Sequence, residues 1–137
     1  MTLAAALAAT HARAFRTDRA WSETEFADLL GNPGILFTGN ATAFVLGRII
    51  LDEVEILTLA TDPVAQRNGL ARAALAQFET DARRRGASMV FLEVAQDNIA
   101  AQRLYAASSY GQVGLRPGYY ARTTGRPVAA LILRKAL

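Results

Sequence analysis

Residues 53–95 read EVEILTLATDPVAQRNGLARAALAQFETDARRRGASMVFLEVA, and the change of period along this stretch decides the fold. Glu53 to Thr61 is an extended, β-branched and aliphatic run, hence a strand. From Gly69 to Arg85 the apolar residues Ala71, Ala74, Leu75, Phe78 and Ala82 recur at helical spacing. Arg83, Arg84 and Arg85 complement the negative end of that helix, and Gly86 suits the position just past it. Ser88 to Ala95 is a strand again. A strand, a helix and a strand in this order predict a parallel crossover inside a mixed sheet.

On the N-terminal side, Thr2 is placed to cap a helix running to about Phe15. A second helix opens at Ser22, where Ser22 with Glu25 spells a capping box and Trp21 with Phe26 a hydrophobic staple. Gly31-Asn32-Pro33 ends it. Ile35 to Thr38, a Gly39-Asn40 turn and Phe44 to Ile50 read as a hairpin. On the C-terminal side come a helix from about Asn98 to Ser108 and two strands, about Gln112 to Tyr119 and Val128 to Arg134. The expected fold class is α/β of the α+β kind. It is a single domain over residues 1–137, with a mixed, mostly antiparallel sheet, a central parallel pair and flanking helices.

With 137 residues, 52% of them hydrophobic and 20% charged, the chain is long enough for a substantial core. It contains no cysteine, which excludes a disulfide scaffold, a thiolate zinc site and a cysteine nucleophile. The net charge of +3 suits anionic small ligands and is too small to imply direct nucleic-acid binding. Met1 to Ala9 is apolar but short and lacks a basic start, so neither a signal peptide nor a membrane span is expected, and a cytoplasmic location follows. The lone His11 has no second ligand at metal spacing, and no metal site is expected.

Three features carry chemistry. The helix opening at Gln66-Arg67-Asn68-Gly69-Leu70-Ala71-Arg72 offers unpaired amides and two arginines to an anion, although it spells neither a dinucleotide fingerprint nor a P-loop. An ordinary helix start reads the same way. Glu93 shares a strand face with Met89, Phe91 and Ala95, so it is paired to an arginine, exposed at a cleft, or held at a raised pKa fit for a general base. Asn98, Ala101 and Tyr105 fall on one helical face, either lining a ligand slot or packing against the sheet.

In this order these residues resemble the GNAT superfamily of acetyl-CoA-dependent N-acetyltransferases, whose loop pattern [Gln/Arg]-x-x-Gly-x-[Gly/Ala] is met by Gln66 to Ala71. Leu92-Glu93-Val94, Asn98, Ala101 and Leu104-Tyr105 resemble more narrowly the RimI type, the ribosomal-protein N-terminal alanine acetyltransferases. Trp21-Ser22-Glu23, Ala60-Thr61-Asp62-Pro63 and Arg116-Pro117-Gly118-Tyr119-Tyr120 extend that likeness over most of the chain. The resemblance implies acetyl-CoA as cosubstrate. It places the pantetheine arm along Leu59, Ala60 and Thr61, the pyrophosphate on Arg67, Asn68, Gly69, Leu70, Ala71 and Arg72, and a further cofactor contact at Asn98. Glu93 would be the general base and Tyr105 the general acid. The implied acceptor is a protein N-terminus, that of a small-subunit ribosomal protein; a lysine or small amine, or a CoA-binding module without turnover, are the alternatives. Ser109-Tyr110 stands where the family usually has Gly-Phe, and Pro127-Val128 where an acidic pair is frequent.

Overall fold

The computed structural model describes residues 1–15 and 19–137. Two helices, α1 (Leu3–Ala14) and α2 (Glu23–Leu30), precede the strands β1 (Ile35–Gly39), β2 (Ala43–Ile50) and β3 (Glu53–Thr61). Helix α3 (Leu70–Arg84) crosses to β4 (Met89–Ala95), and α4 (Ile99–Ala107) leads into the arm β5 (Gly111–Tyr120) and β6 (Val128–Ala136). Among the described residues six strands lie in the order β1-β2-β3-β4-β6-β5, and only the β3/β4 pair is parallel. The expected elements are all present, with ends displaced by one or two residues.

Local chemistry fixes the helix starts. The Thr2 hydroxyl accepts from the Ala5 amide, and the Ser22–Glu25 capping box is formed in both directions. Trp21 and Phe26 meet with ring centroids 5.6 Å apart, as the staple requires. One element escaped the sequence pattern, a 3-10 turn at Pro63–Ala65. Asp62 initiates it by accepting from the Val64 amide, while Pro63 presets the backbone angle. At the far end of α4, Ser109 sits in the left-handed region at φ 72, a position glycine takes at less cost. The hydroxyl of the adjoining Tyr110 donates to Glu79 (2.8 Å), which also accepts from Lys135 (2.8 Å), so the buried carboxylate is satisfied from the α4–β5 connection and from β6.

The sheet is packed on both faces. On one, Phe78 and Leu75 of α3 bury against Val54, Ile56, Val90 and Leu92. On the other, Leu7 of α1 and Phe26 of α2 bury against Phe44, Leu46 and Ala60. A bulge in β3 decides which side chain reaches which face. Leu46 pairs with Thr58 but the next residue, Gly47, pairs with Ile56, so Leu57 has no partner on β2. Before it, Val54 and Ile56 face α3; beyond it, Leu57, Thr58 and Ala60 serve the α1 side and Leu59 the α3 side. Strict alternation along Glu53 to Thr61 cannot show this.

Gly47 beside the bulge is required by space. A Cβ there would lie 2.5 Å from Cζ of the fully buried Phe78 and 2.8 Å from the Glu55 carbonyl oxygen. Gly47→Ala is therefore expected to destabilise the fold by about 1–3 kcal/mol, the usual cost of overpacking, as measured by urea unfolding.

Candidate active site

The parallel ladder between β3 and β4 ends early. Its last pair is Ile56↔Leu92, although β3 continues to Thr61 and β4 to Ala95. Past that pair the strands separate, and the opening is flanked by two chambers that meet at Leu59, Ala95, Asn98, Ala101 and Tyr105.

The larger chamber, about 760 Å³, is bounded by the end of β3 and by the mouth of α3. Leu59, Ala60, Thr61, Arg67, Gly69, Leu70, Ala71, Arg72 and Asn98 all line it; Asn68, exposed between two lining residues, does not. The backbone here is specialised for an anion. Arg67 (φ 68) and Gly69 (φ 76) both adopt left-handed angles, and no side chain among the described residues caps the first amides of α3. For Gly69 that angle is free of steric cost, whereas for Arg67 it costs about 1–3 kcal/mol. The result is a cluster of N–H groups at the positive end of a 15-residue helix. Thr61 adds a buried hydroxyl that has no hydrogen-bond partner among the described residues. An unsatisfied buried hydroxyl beside uncapped amides fits a long polar ligand with an anionic end.

The smaller chamber, about 590 Å³, lies on the α1 side and holds Glu93. Of the readings left open for Glu93, the structure shows two together: it lines the chamber, and Arg116 Nε stands 3.1 Å from its Oε1. Arg116 is itself laid over the Tyr119 ring, 5.5 Å from the centroid. Glu55, on the same sheet face, has its carboxyl pushed up by burial first and by the Glu93 charge second. Tyr105 is buried yet borders both chambers, and its hydroxyl has no hydrogen-bond partner among the described residues. Burial, then the neighbouring Tyr120, pushes its phenol up, so it keeps its proton at neutral pH. Asn98 is the N-cap of α4, its side-chain oxygen accepting from the Ala101 amide at 3.2 Å. Asn98 borders both chambers.

Two features were not foreseen. Arg122, in the β5–β6 connection, grips Asp97 through Nε (2.8 Å) and Nη2 (2.7 Å) and borders both chambers. It ties that connection to the turn that starts α4. His11 is buried and lines the Glu93 chamber, stacked on Phe15 and Trp21. Neither leaves a periodic signal, because each depends on a partner from another element; Trp21 joining the His11 stack through a loop is one such case.

Residues 3–110 match the profile of the Acetyltransferase (GNAT) family. The chain is 34% identical over 116 residues to the ribosomal protein bS18-alanine N-acetyltransferase of Escherichia coli K12, covering 82% of this chain and 78% of that protein. It is also 34% identical over 118 residues to the N-alpha-acetyltransferase RimI of Mycobacterium tuberculosis, covering 80% and 73%. The crystal structure of the ribosomal-protein-S18-alanine N-acetyltransferase from Escherichia coli superposes with a TM-score of 0.86 at 31% identity, covering 97% of this chain and 86% of that one.

The Arg122–Asp97 pair generates a pH prediction. Arg122, first by its hydrogen bond and then by its charge, holds the Asp97 carboxyl below its ordinary value. A depressed carboxyl contributes stability above its unfolded pKa and loses it as pH falls through the folded one. Asp97→Asn is thus expected to lower the thermal midpoint at pH 7. That deficit should shrink as wild type and variant are compared at pH values below the ordinary aspartate range.

Proposed function

Because the chain belongs to the GNAT acetyltransferase family and uses acetyl-CoA, we propose that it acetylates the α-amine of a protein N-terminus, the N-terminal alanine of a small-subunit ribosomal protein. Transfer to a ribosomal protein is supported by relatives at 34% identity whose names specify that acceptor. The observation that carries the chemistry is Tyr105, an unpartnered phenol on the wall common to a chamber built for an anion and a chamber holding a carboxylate.

On the donor side, Arg67, Arg72 and the α3 amides from Gly69 to Ala71 hold the pyrophosphate, with Asn68 shaping the turn between two left-handed residues. Leu59, Ala60 and Thr61 run along the pantetheine arm where β3 has left β4, and the Thr61 hydroxyl gains a partner there. Asn98 offers its NH₂ group at the junction. On the acceptor side, Glu93 removes the proton from the incoming ammonium, directly or through water. The freed nitrogen forms the new C–N bond at the thioester carbonyl carbon as the C–S bond breaks. Tyr105 gives its proton to the departing sulfur, and the second proton, which the nitrogen sheds on becoming an amide, returns through solvent to the Tyr105 phenolate. No covalent enzyme intermediate is needed, in keeping with a chain without cysteine. The α-amine suits a single carboxylate base: its pKa of ~8 lies well below the ~10.4 of lysine, a difference of about 3 kcal/mol in freeing the nucleophile. We place the reaction in the cytoplasm, where ribosomal proteins are made.

With acetyl-CoA and an alanine-starting basic peptide, the purified protein should release free CoA thiol. Tyr105→Phe and Glu93→Gln should each lower turnover by about 10²–10⁴-fold, the usual worth of a general acid or base. Glu93→Gln should recover partly at higher pH, where more of the amine is already free. Unchanged turnover in either variant removes that residue from its role.

A further inference from the structure

The chamber that holds Glu93 contains a second polar device, the pair His11–Thr58. His11 Nδ1 accepts a hydrogen bond from the Trp21 backbone N–H at 3.1 Å. A ring nitrogen that accepts carries no proton, so the neutral ring has its proton on Nε2. Nε2 is 3.2 Å from Thr58 Oγ1, and with that tautomer the histidine donates and the hydroxyl accepts. The Thr58 O–H is then left to donate, and it has no acceptor among the described residues. Thr58 is 7% exposed and borders the Glu93 chamber but not the anion chamber. Its orientation follows from the bulge at Leu57, which turns Thr58 toward α1 while Leu59 faces the other way.

We propose that the Thr58 hydroxyl, oriented by His11, is a specificity-determining donor to the carbonyl of the acceptor's first residue. The assignment rests on the proposed transfer to an N-terminal α-amine. An α-amine carries a carbonyl two bonds from the nucleophilic nitrogen; the ε-amine of lysine carries only methylenes there. A buried donor placed to meet that carbonyl rewards the first acceptor and is stranded by the second. The thioester carbonyl is the less suitable partner, because Thr58 does not reach the chamber where the donor side lies.

The experiment compares wild type, Thr58→Val and Thr58→Ser with two acceptors. One is an alanine-starting peptide; the other is isopropylamine, which has alanine's amine and methyl group without the carbonyl. Thr58→Val should lower kcat/KM for the peptide by about tenfold, one hydrogen bond's worth, while the KM for acetyl-CoA and the rate with isopropylamine stay as in wild type. Thr58→Ser should restore the peptide rate. An unchanged peptide rate in Thr58→Val, or an equal loss with both acceptors, overturns the assignment. Because His11 is the one histidine in the chain, the ¹⁵N spectrum of the histidine-labelled protein reads the premise separately: a neutral ring protonated on Nε2 is expected, and a ring protonated on Nδ1 overturns it. A wild-type enzyme that acetylates a lysine peptide blocked at its N-terminus and ignores the alanine peptide sinks the functional reading itself, an outcome distinct from any result with the Thr58 variants.

Discussion

The organisation of this protein depends on where two parallel strands stop pairing. β3 and β4 share a ladder only as far as Ile56↔Leu92, yet both continue. Backbone polar groups in a sheet centre are normally satisfied by the neighbouring strand. Here the end of β3 gives up that neighbour, and the gap becomes the place where an extended polar ligand can complete it. The bulge at Leu57 coincides with the separation and redirects the side chains, sending Thr58 toward the carboxylate chamber and Leu59 toward the junction. One irregularity therefore creates the opening and sorts its walls.

The two chambers differ in electrostatic sense. The one at the mouth of α3 gathers amides, Arg67 and Arg72, all suited to an anion. The other holds Glu93, paired with Arg116, and is also lined by Arg19 and Arg122, so it presents a carboxylate among arginines. Tyr105 lies between them with its proton held by burial. Asp97–Arg122 and Glu93–Arg116 fasten the β5–β6 arm to β4 and the turn after it.

Much of this was legible in the chain itself. Helix and strand positions followed from hydrophobic period, and the Ser22–Glu25 box and Trp21–Phe26 staple are local patterns that the structure reproduces. The uncapped mouth of α3 was readable because Gly69 and its arginines are neighbours in sequence. What stayed hidden was non-local. The bulge arises from a register choice between β2 and β3 that alternation does not encode. The Glu93–Arg116 pair joins β4 to β5, which are not adjacent in the sheet, and residue identity alone could not choose among the exposed arginines. His11 gave no signal, since its importance comes from Thr58, 47 residues away.

The central claim, that the separated end of β3 and the mouth of α3 bind the acetyl donor, is tested most directly by amide hydrogen exchange with and without saturating acetyl-CoA. Slowed exchange is expected at Leu59 to Thr61 and at Gly69 to Arg72, with Glu53 to Ile56 unaffected because those amides already sit in a closed ladder. Protection confined to other segments, or none on addition of acetyl-CoA, would contradict it.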